Sequence, residues 1–566
     1  MSYNLLGKKV RGRFAFPSGV VATNSDTALW MLDHIPQIGA VVGKSTTIEP
    51  RLGNREDIFV QPTAFSGWNA VAFTNPGLED AIAGFQKLKK AYPNDVFMMP
   101  QIGESSPDSF AHCIKVFEKS GVADGYEANL SCPHATQGGV ALSQPDTVKL
   151  VFEAMRGCTD KPLVAKLNAS MPDLECLVRA ALAGGATAIS LINTLPGPNP
   201  ELKNKFGGLS GPVVFPVLCD TIKKVRGMTD APLLAMGGIA SAADIRQLER
   251  LDANLFYEIG TALAEMDSEE IARYFAQLER DLKEGTDLAK NLTDTKKALQ
   301  YKPFIIKEVI EYNENLRLLK FYEKLDAGTG QFVFVKSGDS RQNEDKKDDE
   351  FSKPFSVASD RDGLELVIRK VGKATEQLFT LQKNQVVRIK GPYGKTFSFP
   401  ESDVVVFVGA GCGIAPIYNA AQHYEGKKIF VLGAKNAKEL PYVKEFEEMG
   451  EVVVSTDDGS QGYHGFVSDL LADYLLKHEL GNISFFNCGP EVAMAKADVV
   501  EKQYASPERV FHLIERMTCC GVGICGKCST PEGHRACVDG PVFGADDFTP
   551  GVYTRDKTGK KIIFSK

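Results

Sequence analysis

Pro232-Leu233-Leu234-Ala235-Met236-Gly237-Gly238 decides how this chain is read: a short apolar run of buried-strand length, closed by two glycines whose bare backbone amides can reach an anion. Seven more runs of the same kind are spaced along the first half of the chain, separated by helix-forming stretches. That alternation is the signature of parallel strands joined by crossover helices. In order the eight runs are Gly19-Val20-Val21-Ala22, Ala40-Val41-Val42-Gly43, Val96-Phe97-Met98-Met99, Gly125-Tyr126-Glu127-Ala128, Pro162-Leu163-Val164-Ala165, Ala188-Ile189-Ser190-Leu191, Pro232-Leu233-Leu234-Ala235 and Leu255-Phe256-Tyr257-Glu258. Eight β/α units within about 265 residues predict an α/β fold of the TIM (β/α)8 type over residues 1–267.

Barrel enzymes place their chemistry at the C-terminal ends of the strands. Here those ends carry Thr23-Asn24, Lys44, Gln101, Asn129 followed by Cys132, Lys166, Asn193-Thr194, Gly237-Gly238 and Gly260-Thr261. The last two pairs close strands seven and eight, where barrels commonly hold a phosphate through backbone N–H groups. Any one of these residues alone reads equally well as a turn or a solvated lysine. Eight in register do not.

Residues 268–300 begin charged and helix-forming, Ser268-Glu269-Glu270-Ile271-Ala272-Arg273-Tyr274-Phe275, and read as a terminal helix and connector. From 301 to 402 short β-runs and turn signals predict a small β-barrel, interrupted by a polar, charged stretch over 337–349 that reads as a surface loop. A second α/β domain is expected over 403–508, opening on Val404-Val405-Val406-Phe407-Val408-Gly409. In it Gly409-Ala410-Gly411-Cys412-Gly413 follows a strand and opens a helix, as a pyrophosphate site requires. A later apolar run ends on Asn487-Cys488-Gly489-Pro490.

The last module, 509–566, carries Cys520, Cys525, Cys528 and Cys537, spaced C-x4-C-x2-C-x8-C. The first three match the plant-type ferredoxin spacing, in which a glycine-rich loop, here with Gly521, Gly523 and Gly526, wraps a 2Fe-2S cluster and a distant fourth thiolate closes it. Structural zinc usually takes cysteines from two knuckles, which the asymmetric run fits poorly. Cys519 reads as a neighbour, since using it would lengthen the first spacing.

At 566 residues the chain should hold several cores. Its net charge of −7, with no basic block, points away from nucleic acid and anionic membrane surfaces. No stretch is apolar enough to span a membrane and the N-terminus lacks the core of a signal peptide, so a cytoplasmic protein is expected. Twelve cysteines, four of them committed to a cluster, suit a reducing compartment.

A β-barrel followed by a glycine-rich α/β domain with a Cys-Gly-Pro turn resembles the ferredoxin-NADP reductase superfamily. The resemblance implies FAD on the β-barrel and a nicotinamide nucleotide at Gly409, Gly411, Gly413, Cys488 and Gly489. It makes Lys353-Pro354-Phe355-Ser356 the FAD-binding strand, with lysine where arginine is usual; an ammonium cannot offer the two-pronged hydrogen bonding of a guanidinium. It also puts Gly372 and Thr375 at the FAD pyrophosphate. More narrowly, residues 301–566, with Glu515-Arg516-Met517, the cluster cysteines and Asp539-Gly540-Pro541-Val542-Phe543, resemble the electron-transfer subunit of NAD-linked bacterial dihydroorotate dehydrogenases. Residues 1 to about 300 resemble the catalytic FMN subunit of the same enzymes, through Lys44-Ser45-Thr46-Thr47, Asn75-Pro76-Gly77, Asn129-Leu130-Ser131-Cys132-Pro133, Ile192-Asn193-Thr194, Gly207-Gly208-Leu209-Ser210-Gly211 and Met236-Gly237-Gly238.

A fusion of the two subunits is thereby implied, with electrons passing between substrate, FMN, the cluster, FAD and NAD. The resemblance makes Cys132 the base that takes a proton from substrate carbon, a role suited to a tunable thiol. It makes Lys44 and Lys166 the FMN-holding cations, joined by Gly211, Gly237, Gly238, Gly260 and Thr261. Asn69, Asn129, His134, Asn193 and Thr194 are the residues expected to meet the substrate. Homodimerisation through the barrel is implied as well. The departures gather in the substrate pocket: His134 and Gln101 each replace a usual asparagine, Asn168-Ala169-Ser170 replaces Ser-Pro-Asn, and Asn69-Ala70-Val71-Ala72-Phe73 puts a methyl and a phenyl where Gly-Leu is usual.

Two other functions stay open on these departures. One is an NAD(P)H-driven reductase of another pyrimidine or of an activated C=C bond; the other is a diaphorase feeding a protein partner. Lys435 in Gly433-Ala434-Lys435-Asn436 suits a 2′-phosphate as well as solvent and leaves NAD and NADP open, with NAD implied by the resemblance.

Overall fold

The structure, a computed structural model, describes residues 2–54, 57–63, 65–130, 144–171, 173–202, 205–293, 300–336, 352–550, 554–555 and 561–562. The chain forms two compact units: Met1–Leu299 with Cys519–Arg535, and Gln300–Thr518 with Ala536–Lys566.

The first unit is built on a parallel barrel of β1 (Phe14–Phe16), β2 (Ile38–Val42), β3 (Phe97–Met99, resumed at Gln101–Ile102), β4 (Tyr126–Asn129), β5 (Leu163–Lys166), β6 (Ala188–Leu191), β7 (Leu233–Met236) and β8 (Phe256–Glu258). The two halves of β3 lie at opposite edges of the nine-segment sheet, Phe97–Met99 on β2 and Gln101–Ile102 on β4, so the strand broken at Pro100 closes the ring.

Seven strands fall on the expected runs; the first does not. Gly19-Val20-Val21-Ala22 turns instead of extending, with φ of +74° at Gly19 and +60° at Val21. Phe14-Ala15-Phe16, fully buried and paired with β8 and β2, takes the strand position. Asn24 accordingly caps the helix Ser25–His34, accepting from the amides of Asp26 and Thr27 at 3.0 Å each.

Strand alternation sorts the barrel's residues into two layers. Ala15, Ala40, Val42, Phe97, Met99, Val164, Ala188, Leu234 and Phe256 fill the interior, with Leu5 and Val10 of the N-terminal hairpin. Outward-facing Tyr126, Ala128, Leu163, Ala165, Ile189 and Tyr257 pack under the helices. Two residues beyond an interior apolar position the chain faces inward again, which brings Gln101, Lys166, Met236 and Glu258 to the top of the bore. A four-stranded antiparallel sheet of Leu195–Pro198, Phe206–Ser210, Ser66–Asn69 and Phe59–Thr63 is built from the loops.

In the second unit, six antiparallel strands between Lys302 and Tyr393 form the β domain around Ile306, Leu319, Val333, Ile368 and Ile389. The α/β domain is a seven-stranded sheet whose first six strands are parallel and whose last, Val542–Gly544, runs antiparallel to Val510–Leu513. Among the described residues no helix is long and apolar enough to cross a membrane.

Candidate active site

One cavity at the C-terminal ends of the barrel strands is lined by Lys44, Asn69, Asn129, Lys166, Asn193, Thr194, Gly211, Gly237, Gly238, Gly260 and Thr261, eleven residues singled out from sequence. Cys132 and His134 lie outside the described residues.

The polar wall is a connected network. Asn129 Nδ2 donates to Ser45 Oγ at 3.0 Å and to Gln101 Oε1 at 3.3 Å, and Asn193 Nδ2 reaches Asn129 Oδ1 at 3.5 Å. Gln101 Oε1 also accepts from Ser18 Oγ at 2.7 Å and from Ser45 Oγ, while its amide donates to Glu127 Oε2. Asn69 Nδ2 donates to the Gly208 carbonyl at 3.2 Å, tying the hairpin Ser66–Asn69 to Phe206–Ser210. Lys166 Nζ stands 3.8 Å from Glu127 Oε2, both side chains buried.

The donor set and its cradle fit a phosphorylated flavin. Gly238 has φ of +81°, and a Cβ there would stand 2.6 Å from the Phe215 backbone nitrogen, so the start of the helix Phe215–Arg226 abuts bare backbone. Gly211, at φ +96°, opens the short turn that leads into that helix. Exposed amides at a helix N-terminus suit a phosphate. Lys44 and Lys166, both on the lining, are cations of the kind that an electron-accepting ring calls for.

Cys519–Arg535 belongs to this unit and reaches the same cavity, which Ile524 helps to line. The Ile524 carbonyl accepts from Val21 N at 3.2 Å, and the Val522 carbonyl from Glu265 N at 3.0 Å. Arg535, fully buried, donates to the carbonyls of Gly523 and Met266 at 3.1 Å each and to Ser268 Oγ at 3.2 Å. Lys527 Nζ donates to the carbonyls of Leu52 and Asn54. Burial pushes the Lys44 ammonium down to about 8, opposed mainly by Cys525, with Cys520 and Cys519 also opposing and Lys527 adding to the shift. Lys44 thus lines the cavity and feels the charge of the cysteine loop.

Cys520, Cys525 and Cys528 are each 2% exposed, and Cys537, in the second unit, 1%. Positive φ at Gly521, Gly523 and Gly526, from +69° to +75°, turns the loop tightly around its cysteines. Among the described residues no group of three or more acidic, histidine or cysteine side chains is placed to hold a single metal ion.

In the second unit, Gly409 and Cys488 are register partners on adjacent parallel strands, which sets the glycine-rich turn beside the Cys-Gly-Pro turn. A Cβ on Gly413 would lie 2.3 Å from the Cys488 carbonyl oxygen, so the two turns touch. Gly411 takes φ of +57° with open space around it. Burial raises the Cys488 thiol well above its ordinary range. Lys353, Pro354, Phe355 and Ser356 form the strand Ser352–Ser356 against Phe332–Lys336. Thr375 Oγ1 accepts from the amides of Val371 and Gly372 at 2.8 and 3.1 Å, holding the turn that starts the helix Lys373–Leu378. Arg369 joins the two domains of this unit, pairing with Glu439 at 2.8 Å and donating to Cys412 Sγ at 3.0 Å.

Sequence reasoning missed Glu127, Glu258, Ser18 and Ile524. For Glu258 a signal was present: it follows Phe256 by two, as Lys166 follows Val164, and so shares the inward face.

A barrel with a phosphate cradle, an FAD-type β domain and a nicotinamide-type α/β domain defines a flavin oxidoreductase. Family models agree along the chain: "Dihydroorotate dehydrogenase" over residues 1–282, "Oxidoreductase FAD-binding domain" over 303–397, "Oxidoreductase NAD-binding domain" over 407–499 and "Iron-sulfur cluster binding domain of dihydroorotate dehydrogenase B" over 515–549. A Pyrococcus horikoshii protein named a probable dihydroorotate dehydrogenase B (NAD(+)) electron transfer subunit is 36% identical over 259 residues, 45% of this chain and 96% of its own. The Pyrococcus abyssi dihydroorotate dehydrogenase B (NAD(+)) catalytic subunit is 35% identical over 272 residues, 46% of this chain and 87% of its own. Dihydroorotate dehydrogenase A (fumarate) of Lactiplantibacillus plantarum is 33% identical over 275 residues, 46% of this chain and 87% of its own. The chain belongs to the dihydroorotate dehydrogenase family, as a fusion of the catalytic domain with the FAD, NAD and iron–sulfur domains of the B-type electron-transfer subunit.

Proposed function

We propose that this chain oxidises dihydroorotate at the barrel cavity and delivers the electrons, through a 2Fe-2S cluster, to NAD in the second unit. When bound, FMN and FAD supply hydride exchange with organic partners and the cluster supplies one-electron transfer. The observation that carries the reading is Ile524: it lines the cavity and is bonded to Cys525, so the loop of cluster ligands forms part of the flavin pocket's wall. Relatives that match each half are named for this same reaction, catalytic and electron-transfer subunits respectively.

The chain's own residues divide the work. Gly211, Gly237, Gly238, Gly260 and Thr261 hold the FMN phosphate, and Lys166 and Lys44 balance negative charge arriving on the ring. Asn69, Asn129 and Asn193 orient a ring of carbonyl and N–H groups, with the Gln101–Ser45 network fixing the Asn129 amide. Cys132 takes the proton from substrate carbon as the adjacent carbon gives up hydride. In the second unit Lys353–Ser356, Gly372 and Thr375 hold FAD, and Gly409, Gly411, Gly413, Cys488 and Gly489 hold the nicotinamide nucleotide.

A specific observation favours a second reading, an NAD(P)H-driven reductase of another pyrimidine or an activated C=C bond. Ala70, Val71, Ala72 and Phe73 all line the cavity, with Ala72 in a left-handed conformation, φ +60°, that glycine would take freely. A methyl there changes the wall that would meet a substrate carboxylate. The two readings separate in an anaerobic assay of the purified chain. Dihydroorotate-dependent reduction of NAD supports the first; no orotate binding, with NADH oxidised by uracil, thymine or enoates, overturns it in favour of the second.

A further inference from the structure

Three charged side chains share the top of the barrel bore: Glu127 from β4, Lys166 from β5 and Glu258 from β8, 0%, 3% and 1% exposed. Their surroundings are unequal. Glu127 Oε2 accepts from Gln101 Nε2 and lies 3.8 Å from the Lys166 ammonium, while its Oε1 has no hydrogen-bond partner among the described residues. Glu258 lines the cavity, and neither of its oxygens has a hydrogen-bond partner among the described residues.

One ammonium cannot neutralise two carboxylates, and a buried carboxylate with neither partner nor solvent is among the costliest groups a protein can hold. The usual escape is to bind a proton. Glu258, with no hydrogen bond to either oxygen and no salt bridge among the described residues, is the carboxyl that gains most by holding the proton. Burial, with the charge of Glu127 added, holds the Glu258 carboxyl well above the usual carboxylate range, with Lys166 opposing. A protonated acid has an O–H to give, and this one is aimed into a cavity.

We propose that Glu258 stands in the barrel cavity as a neutral carboxylic acid and donates its O–H to an acceptor atom of the bound flavin ring, a hydrogen bond that a carboxylate could not make. The proposal rests on the reading of this cavity as the FMN site. It also gives the site its charge balance: one ammonium–carboxylate pair, one neutral acid and Lys44, leaving room for the negative charge that reduction brings.

The test is infrared difference spectroscopy of the FMN-loaded full chain, oxidised against dithionite-reduced, in H2O and D2O. Because flavin carbonyls absorb nearby, the protein is also prepared with 13C-labelled glutamate. The expected result is a protonated-carboxyl band that moves with deuteration, with the label and with flavin reduction, and that is absent from E258Q. Equilibrium dialysis adds an independent readout: E258Q, which keeps an N–H donor, should bind FMN within about twofold of wild type, and E258L roughly tenfold more weakly. A wild-type spectrum with no label-sensitive carboxyl band, or a band unchanged in E258Q, overturns the inference while leaving the site reading intact. If E258Q fails to fold, the labelled wild-type spectrum decides alone. FMN missing from the wild-type barrel overturns the reading of the cavity and the inference with it.

Discussion

Ala72 shows what one methyl can decide. It holds φ at +60°, a conformation costing an L-residue roughly 1–2 kcal/mol, and its neighbour Phe73 lines the cavity with it. Ala72→Gly removes that strain but adds chain entropy to the unfolded state, so stability should change by less than about 1 kcal/mol by urea denaturation. If the substrate is dihydroorotate, the same change should lower KM several-fold with little effect on kcat; a raised KM would count against a carboxylate reaching this wall. Gly526 is the opposite case. At φ +69° a Cβ there would stand 1.5 Å from Thr23 Oγ1, closer than any two non-bonded atoms can come. Gly526→Ala should therefore displace the cysteine loop from the barrel and lower the iron content and visible absorbance of the purified protein, with partial recovery when combined with Thr23→Ala. Neither effect was visible in the sequence, where Thr23 reads as the end of the first strand and Gly526 as one loop glycine among three. Both depend on how the folded chain brings distant segments together.

Among the elements, the strand Ile483–Cys488 and the helix Glu491–Glu501 place a buried polar cluster behind the Cys-Gly-Pro turn. Asn487 Nδ2 donates to Glu501 Oε2 at 2.8 Å, and His512 pairs with Asp498 at 3.0 Å. Burial pushes the Glu501 carboxyl up to about 8 from an ordinary 4.5, with Asp498 adding to the shift and the Asn487 hydrogen bond opposing it. Between those two values the native state keeps a proton that the unfolded chain has released, so this group's contribution turns against folding as pH rises through the window. Glu501→Gln should thus stabilise the second unit by a few kcal/mol near pH 9 and by little near pH 5, read as the difference between denaturation midpoints. A gain independent of pH would mean that the carboxyl ionises freely. The elements themselves were largely legible in the sequence, because parallel strands buried on both faces read as unbroken apolar runs. The exception, β1, is a three-residue strand whose place is fixed by pairing with β8 and β2, and the apolar run that begins at Gly19 is the stronger strand signal of the two. The carboxylates inside the barrel were hidden for a related reason: an apolar run is recognised by its average, and Glu258 ends one without breaking it.

At the scale of the whole molecule, seventeen residues change units. Cys519–Arg535 follows the nicotinamide domain in sequence but is part of the barrel unit, while Cys537 belongs to the second unit. The order of modules was legible from spacing and glycine pattern; this exchange was not, since it depends on Arg535 finding carbonyls at Gly523 and Met266. Arg535→Met would withdraw the guanidinium's hydrogen bonds from those carbonyls and from Ser268 Oγ inside a closed interior, at a cost of about 1–3 kcal/mol for each acceptor left unsatisfied, which a fall in the barrel's thermal midpoint would register. A chain divided in this way should lose its activities separately. Cys132→Ala should abolish substrate oxidation while sparing NADH-driven reduction of an artificial acceptor, because FAD and the nicotinamide site belong to the other unit. Cys525→Ala should spare photoreduction of FMN and NADH–acceptor activity alike, yet stop electrons from crossing between them, since on the proposed function it removes a cluster thiolate from the loop that lines the cavity. Stopped-flow mixing of NADH with each variant, followed at flavin wavelengths, distinguishes the cases. FMN reduction by NADH persisting in Cys525→Ala would show that the flavins exchange electrons without the cluster, and would leave the cysteine loop a structural clasp instead of a conductor.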